Sequence, residues 1–145
     1  MAKRLVLIED DAVDVKLISD VVAQTCPDCR LEVFRDGANA LSFFARYGMA
    51  EKSPLTLVLL DLTLPMLSGI QLLQEIKSRD ATRTLPVVVF TGTASPEQIN
   101  EAYRLGANSV IEKMNSREEG MALLRRTLDY WLNNNLTSEA QRQGS

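Results

Sequence analysis

Short apolar runs alternate along the chain with longer stretches in which apolar residues recur every three or four positions. The runs cover residues 5–8, 31–34, 55–60, 87–90 and 109–111, and each reads as a β-strand. Leu57, Val58, Leu59 and Leu60 follow one another without polar alternation, which predicts a strand covered on both faces. Between the runs the period changes to that of a helix. Val13, Leu17, Ile18, Val21 and Val22 form one stripe of a helix over 12–25, and Asp36-Gly37 makes a turn before a second helix over 38–47. Gly48 and Ser53-Pro54 bracket a polar loop. Ser68 with Gln71 has the spacing of a capping box and opens a third helix reaching residue 79. Ser95, Pro96 and Gln98 supply the cap, first-turn proline and cap partner of a fourth over 96–105, closed at Gly106. A fifth helix begins near Asn115 or Ser116 and is expected to bury Met121, Leu124, Leu128 and Trp131; beyond Leu136 the chain turns polar and is expected to fray.

Strands alternating with helices predict an α/β fold, a doubly wound five-stranded parallel sheet with helices on both faces and the flavodoxin-like strand order 2-1-3-4-5. The 145 residues suit a single domain, taken as 1–133 with a polar tail over 134–145. Lys+Arg 16 against Asp+Glu 19 leaves a formal net charge of -3, so no electrostatic reason exists to expect nucleic acid or an anionic membrane as partner. The apolar runs are far shorter than the roughly 20 residues of a membrane-spanning helix, and the basic start at Lys3 and Arg4 lacks a signal-peptide core; a cytoplasmic location is expected. There is no histidine, which removes every imidazole-based nucleophile scheme and zinc site and any phosphohistidine on this chain.

Chemistry in such sheets gathers at the carboxyl ends of the strands, where the strand order reverses. Reading those ends in turn gives Glu9, Asp10 and Asp11, then Asp61, Thr91 and Lys113. Two carboxylates 4 Å apart repel by about 4 kcal/mol at an effective dielectric near 20, so a gathered set needs a cation. Lys113 offsets part of the charge, and an oxygen-rich cluster suits Mg²⁺. The alternative for any one of these acids is an ordinary solvated strand end; it is the combination with a hydroxyl and a lysine that points to an anionic ligand.

Ile8-Glu9-Asp10-Asp11, Leu59-Leu60-Asp61-Leu62-Thr63-Leu64-Pro65, Ser68-Gly69, Phe90-Thr91-Gly92, and Gly106-Ala107 with Lys113 together resemble the receiver domain of two-component response regulators. The likeness covers residues 3–131, and the long loop before the third strand and the Asp-Tyr-Trp-Leu stretch resemble small stand-alone regulators paired with phytochrome-type sensor kinases. The resemblance implies that Asp61 accepts a phosphoryl group from a partner sensor histidine kinase, a bacteriophytochrome being one such partner. It implies Mg²⁺ held by Glu9, Asp10, Asp61 and the backbone carbonyl of Thr63, with Lys113 and Thr91 on the phosphoryl oxygens. Turnover would be limited to loss of the chain's own phosphoryl group.

The chain departs from the family pattern at two places. Val110 stands in the region of the fifth strand where the family carries a mobile aromatic ring, and Met114 follows the lysine where proline is usual. A cis bond before a non-proline costs about 2.5 to 4 kcal/mol, so Lys113-Met114 is expected to be trans. Cys26-Pro27-Asp28-Cys29 has the spacing of a redox or zinc half-site, but it follows a helix and no second ligand pair exists; the plainer reading is a loop with two partly buried thiols. Leu123 and Tyr130 form a second apolar stripe on the last helix, which suggests a homodimer or kinase-docking surface. Two rivals remain: a haloacid-dehalogenase-like phosphatase, which would want an aspartate where Thr63 stands, and a receiver-like scaffold that never takes phosphate.

Overall fold

The computed structural model describes residues 3–48 and 56–138. Five strands and five helices alternate: β1 (Arg4–Ile8), α1 (Ala12–Thr25), β2 (Arg30–Phe34), α2 (Gly37–Arg46), β3 (Leu57–Leu60), α3 (Gly69–Ser78), β4 (Val87–Thr91), α4 (Pro96–Arg104), β5 (Ser109–Glu112) and α5 (Arg117–Asp129). The strands form one parallel sheet in the order β2-β1-β3-β4-β5, as the sequence pattern predicts. The predicted loop at Ser53-Pro54 and the start of the third run at Leu55 lie outside the described residues, as does the chain past 138.

The unbroken apolar strands have a direct explanation in the two cores. Val6, Ile8, Val58, Leu60, Val87 and Val89 face α2, α3 and α4, packing with Phe44, Leu72, Ile76 and Ala102. Their neighbours Leu5, Leu7, Leu57, Leu59, Val88 and Phe90 face the other way, against Ile18, Val21 and Val22 of α1 and Leu124 and Leu128 of α5. Successive side chains of a strand point to opposite faces, so a strand covered on both must be apolar at every position. The edge strands β2 and β5 are only half-buried for most of their length.

Local signals set the helix starts. Ser68 and Ser95 each accept the N3 amide, from Gln71 and Gln98, in complete capping boxes, and Pro96 opens α4. Asp11 caps α1, accepting from the amides of Val13 and Asp14.

The last helix differs from expectation at its end. After Asp129 the backbone continues as a π-helical turn, Tyr130–Asn134. This widened turn places Leu132 in the core at 2% exposed, while Trp131, expected in the core, only packs partly against it. Tyr130 is exposed and stacks edge-on against Trp131. At the end of the described residues the Ser138 hydroxyl lies 3.3 Å from that of Thr84. Among the described residues, no helix is long and apolar enough to cross a membrane.

Candidate functional site

The reversal of strand order falls between β1 and β3, and their carboxyl ends deliver Glu9 and Asp61 side by side. The Asp61 amide donates to the carbonyl of Ile8 and the Glu9 amide to that of Phe34, so sheet hydrogen bonding continues to the rim of the site. Glu9 is 1% exposed and Asp61 6%, whereas Asp10 faces solvent. One carboxylate oxygen from each of Glu9, Asp10 and Asp61 lies within 4.8 Å of the others. Asp11, the fourth acid of the neighbourhood, is spent on capping α1.

Asp61 is held from several sides. Its Oδ1 accepts from the Thr91 hydroxyl at 3.1 Å and from the Thr63 amide at 3.1 Å; its Oδ2 accepts from Lys113 Nζ at 3.0 Å. Thr91 is the last residue of β4 and is buried, and Lys113 leaves β5 immediately beside it, its amide bonded to the Thr91 carbonyl at 2.8 Å. Lys113 Nζ also pairs with Glu9 at 2.8 Å and Asp14 at 2.8 Å. Burial would lower the Lys113 pKa, but the hydrogen bonds it donates to Asp14, Glu9 and Asp61 overcome this and hold the ammonium above the ordinary lysine value. For Glu9 burial wins, reinforced by the charge of Asp61 and opposed by Lys113, and its pKa rises to about 7.

Sequence reading missed two members. Asp14 sits in the first turn of α1, where an acid is ordinarily explained by the helix dipole; its partner Lys113 is 99 residues away. Arg35 donates to the backbone carbonyl of Asp10 at 2.7 Å from the loop after β2. Neither carries a sequence signal, because each is defined by a partner on another element.

The donor set fits a hard divalent cation. Three carboxylates meet at one corner, two of them buried and Asp10 open to solvent; a single ammonium serves the two buried ones, and burial leaves Glu9 a reluctant anion without further positive charge. Among the described residues no other group of three or more acids, cysteines or histidines is so placed.

A family profile described as the response regulator receiver domain matches residues 5–125. This chain belongs to that family. Response regulator Rcp1 of Synechocystis sp. is 31% identical over 131 residues, covering 90% of this chain and 89% of that protein. The crystal structure of the phosphorylated cyanobacterial phytochrome response regulator RcpA superposes with a TM-score of 0.89 at 28% identity, covering 96% of this chain and 100% of that one. The Mn²⁺-bound form of Rcp1 gives a TM-score of 0.86 at 30% identity, covering 94% and 99%. The acidic pocket of this receiver therefore fits a divalent-metal-binding phosphoacceptor site, and the relatives named here are regulators.

The departures are resolved locally. Every peptide bond among the described residues is trans, Lys113-Met114 included. Val110 is half-buried against the α4-side core, and its amide donates to the Tyr103 hydroxyl at 3.1 Å. An aromatic residue therefore does reach β5, from α4. The two cysteines are free. Burial pushes the Cys26 thiol up and the Cys29 thiol up to about 12, the opposite of what a reactive thiol needs.

Proposed function

We propose that this receiver is a phosphorylation-driven switch in which Asp61 takes a phosphoryl group from a sensor histidine kinase. The observation that carries the reading is the convergence on Asp61 of Thr91, Lys113 and the Thr63 amide, beside Glu9 and Asp10. A carboxylate oxygen of Asp61 attacks phosphorus, the bond from phosphorus to the donor's imidazole nitrogen breaks, and that nitrogen keeps the electron pair. The product is an acyl phosphate on Asp61. Glu9, Asp10, Asp61 and the Thr63 carbonyl hold Mg²⁺, which supplies positive charge against the phosphoryl oxygens. Lys113 pairs with one phosphoryl oxygen, and the Thr91 hydroxyl turns from Asp61 to another.

That movement of Thr91, at the end of β4, is the link to output. It shifts the α4 side of the domain between two packings and so changes an interaction surface. The likeness to RcpA, a cyanobacterial phytochrome response regulator, favours a phytochrome-type kinase as donor. The working unit is residues 1–133, located in the cytoplasm, with 134–145 as a polar tail; its one reaction beyond acceptance is loss of its own phosphoryl group. Leu123 and the exposed Tyr130 form the face through which two copies pair; a monomer mass that stays constant with concentration defeats that pairing.

The test is incubation with acetyl phosphate and Mg²⁺, followed by intact mass and peptide mapping. One phosphoryl group on Asp61, absent with EDTA, is expected. Labelling elsewhere overturns the site, labelling that survives EDTA overturns the metal role, and no labelling favours the scaffold. Steady hydrolysis of small phosphate esters favours the phosphatase.

A further inference from the structure

Lys113 has three N–H donors and three carboxylate partners: Glu9, Asp14 and Asp61. Two of the three belong to the acid cluster that suits a divalent cation; Asp14 does not. When a cation neutralises Glu9 and Asp61, those two release much of their hold on the ammonium before a phosphoryl oxygen arrives to replace it. Like-charge repulsion from the cation pushes it the same way.

The ammonium has somewhere to go. A cavity of about 200 Å³ lies beside it, between α1 and the start of α5, lined by Val13, Leu17, Met114 and Arg117 among others. Asp14 and Lys113 both line it. The Asp14 backbone is held in the first turn of α1, its amide donating to the capping carboxylate of Asp11 at 3.3 Å. Phe90 lines the same cavity, and the centre of its ring lies 5.7 Å from the Lys113 ammonium.

Building on the phosphoacceptor reading, we infer that Asp14 is a positioning residue for phosphoryl transfer: it retains the Lys113 ammonium at Asp61 when a divalent cation weakens its other two ion pairs. Glu9 and Asp61 serve the cation and the phosphoryl group in turn, while Asp14 serves only the lysine. The arrangement lets one corner hold two cationic centres without expelling the monovalent one into the cavity.

Asp14→Asn tests this in the full chain, beside Asp20→Asn, which makes the same charge change at a position that, among the described residues, pairs with Lys16 on the surface of α1. Two quantities are read in Mg²⁺: the ¹⁵N–¹H resonance of the Lys113 ammonium, and the rate of labelling by acetyl phosphate. Thermal unfolding confirms that each variant is folded. Wild type and Asp20→Asn are expected to keep a resolved ammonium signal with Mg²⁺ bound; Asp14→Asn is expected to lose it and to label about tenfold more slowly. A signal that persists in Asp14→Asn, or equal slowing by Asp20→Asn, overturns the inference. Absence of labelling in the wild type instead overturns the phosphoacceptor reading, and the ammonium signal still reports whether Asp14 tethers Lys113.

Discussion

Thr91 donates its hydroxyl hydrogen to Asp61 Oδ1 at 3.1 Å, linking the end of β4 to the acid that follows β3. The bond is buried and one partner is a carboxylate, a setting in which a hydrogen bond is worth more than an exposed neutral one. Thr91→Val keeps the shape and removes the donor. It is expected to cost about 1–3 kcal/mol in urea unfolding. After phosphorylation it is expected to leave the α4 side in its resting packing, seen as unshifted amide resonances in α4; shifts equal to those of the wild type would detach Thr91 from the switch.

Glu9 makes the metal-free protein sensitive to pH. Its folded pKa of about 7 lies above the unfolded value of 4.5, so between these the folded state holds more protons. Stability therefore falls as pH rises through that window, by on the order of 3 kcal/mol at most for a shift of this size. Lys113, raised rather than lowered, remains charged in both states there and adds no slope. Urea melts without metal from pH 4.5 to 7.5 should show the decline, and Glu9→Gln should remove it. Mg²⁺ should stabilise more at pH 7.5 than at pH 5, since binding must displace the Glu9 proton at the lower pH.

Gly69 packs its Cα against the strand end that carries Asp61. An added Cβ would lie 2.3 Å from the Asp61 carbonyl oxygen and 2.5 Å from the Leu62 Cα, both backbone atoms with little freedom to yield. Gly69→Ala is expected to destabilise by about 1–3 kcal/mol and to slow labelling of Asp61, because the backbone that aims the carboxylate must move. A variant with wild-type stability would show that α3 can shift instead.

Lys77 ties α3 to the region around β4 and β5. Its Nζ donates to the carbonyls of Leu85 at 2.7 Å and Arg83 at 3.2 Å and to the Asn108 side chain at 3.1 Å, while Asn108 also accepts from the Val87 amide. Its stem packs against Gly106, whose φ of +109° is a conformation that suits glycine. Lys77→Met retains the stem and is expected to cost about 1–3 kcal/mol through the acceptors left unpaired. Urea unfolding measures it, and a neutral result would mean that water replaces the ammonium.

The periodicity of the chain determined the elements and their class, and the strand order followed as an expectation from that class. Period two collapses to continuous apolarity when both faces are covered, and Leu57 to Leu60 state that without any tertiary information. Strand-end position likewise made Glu9, Asp10, Asp61, Thr91 and Lys113 legible, because the carboxyl ends of parallel strands share one edge. Only the tertiary structure decided that Asp11 caps α1 and stays out of the acid cluster, that Leu132 enters the core through a π-turn, and that Asp14 shares Lys113 with Glu9 and Asp61. Periodicity specifies which face of an element is buried, whereas an ion pair between α1 and β5 depends on where two elements meet in space, and no local pattern encodes that distance.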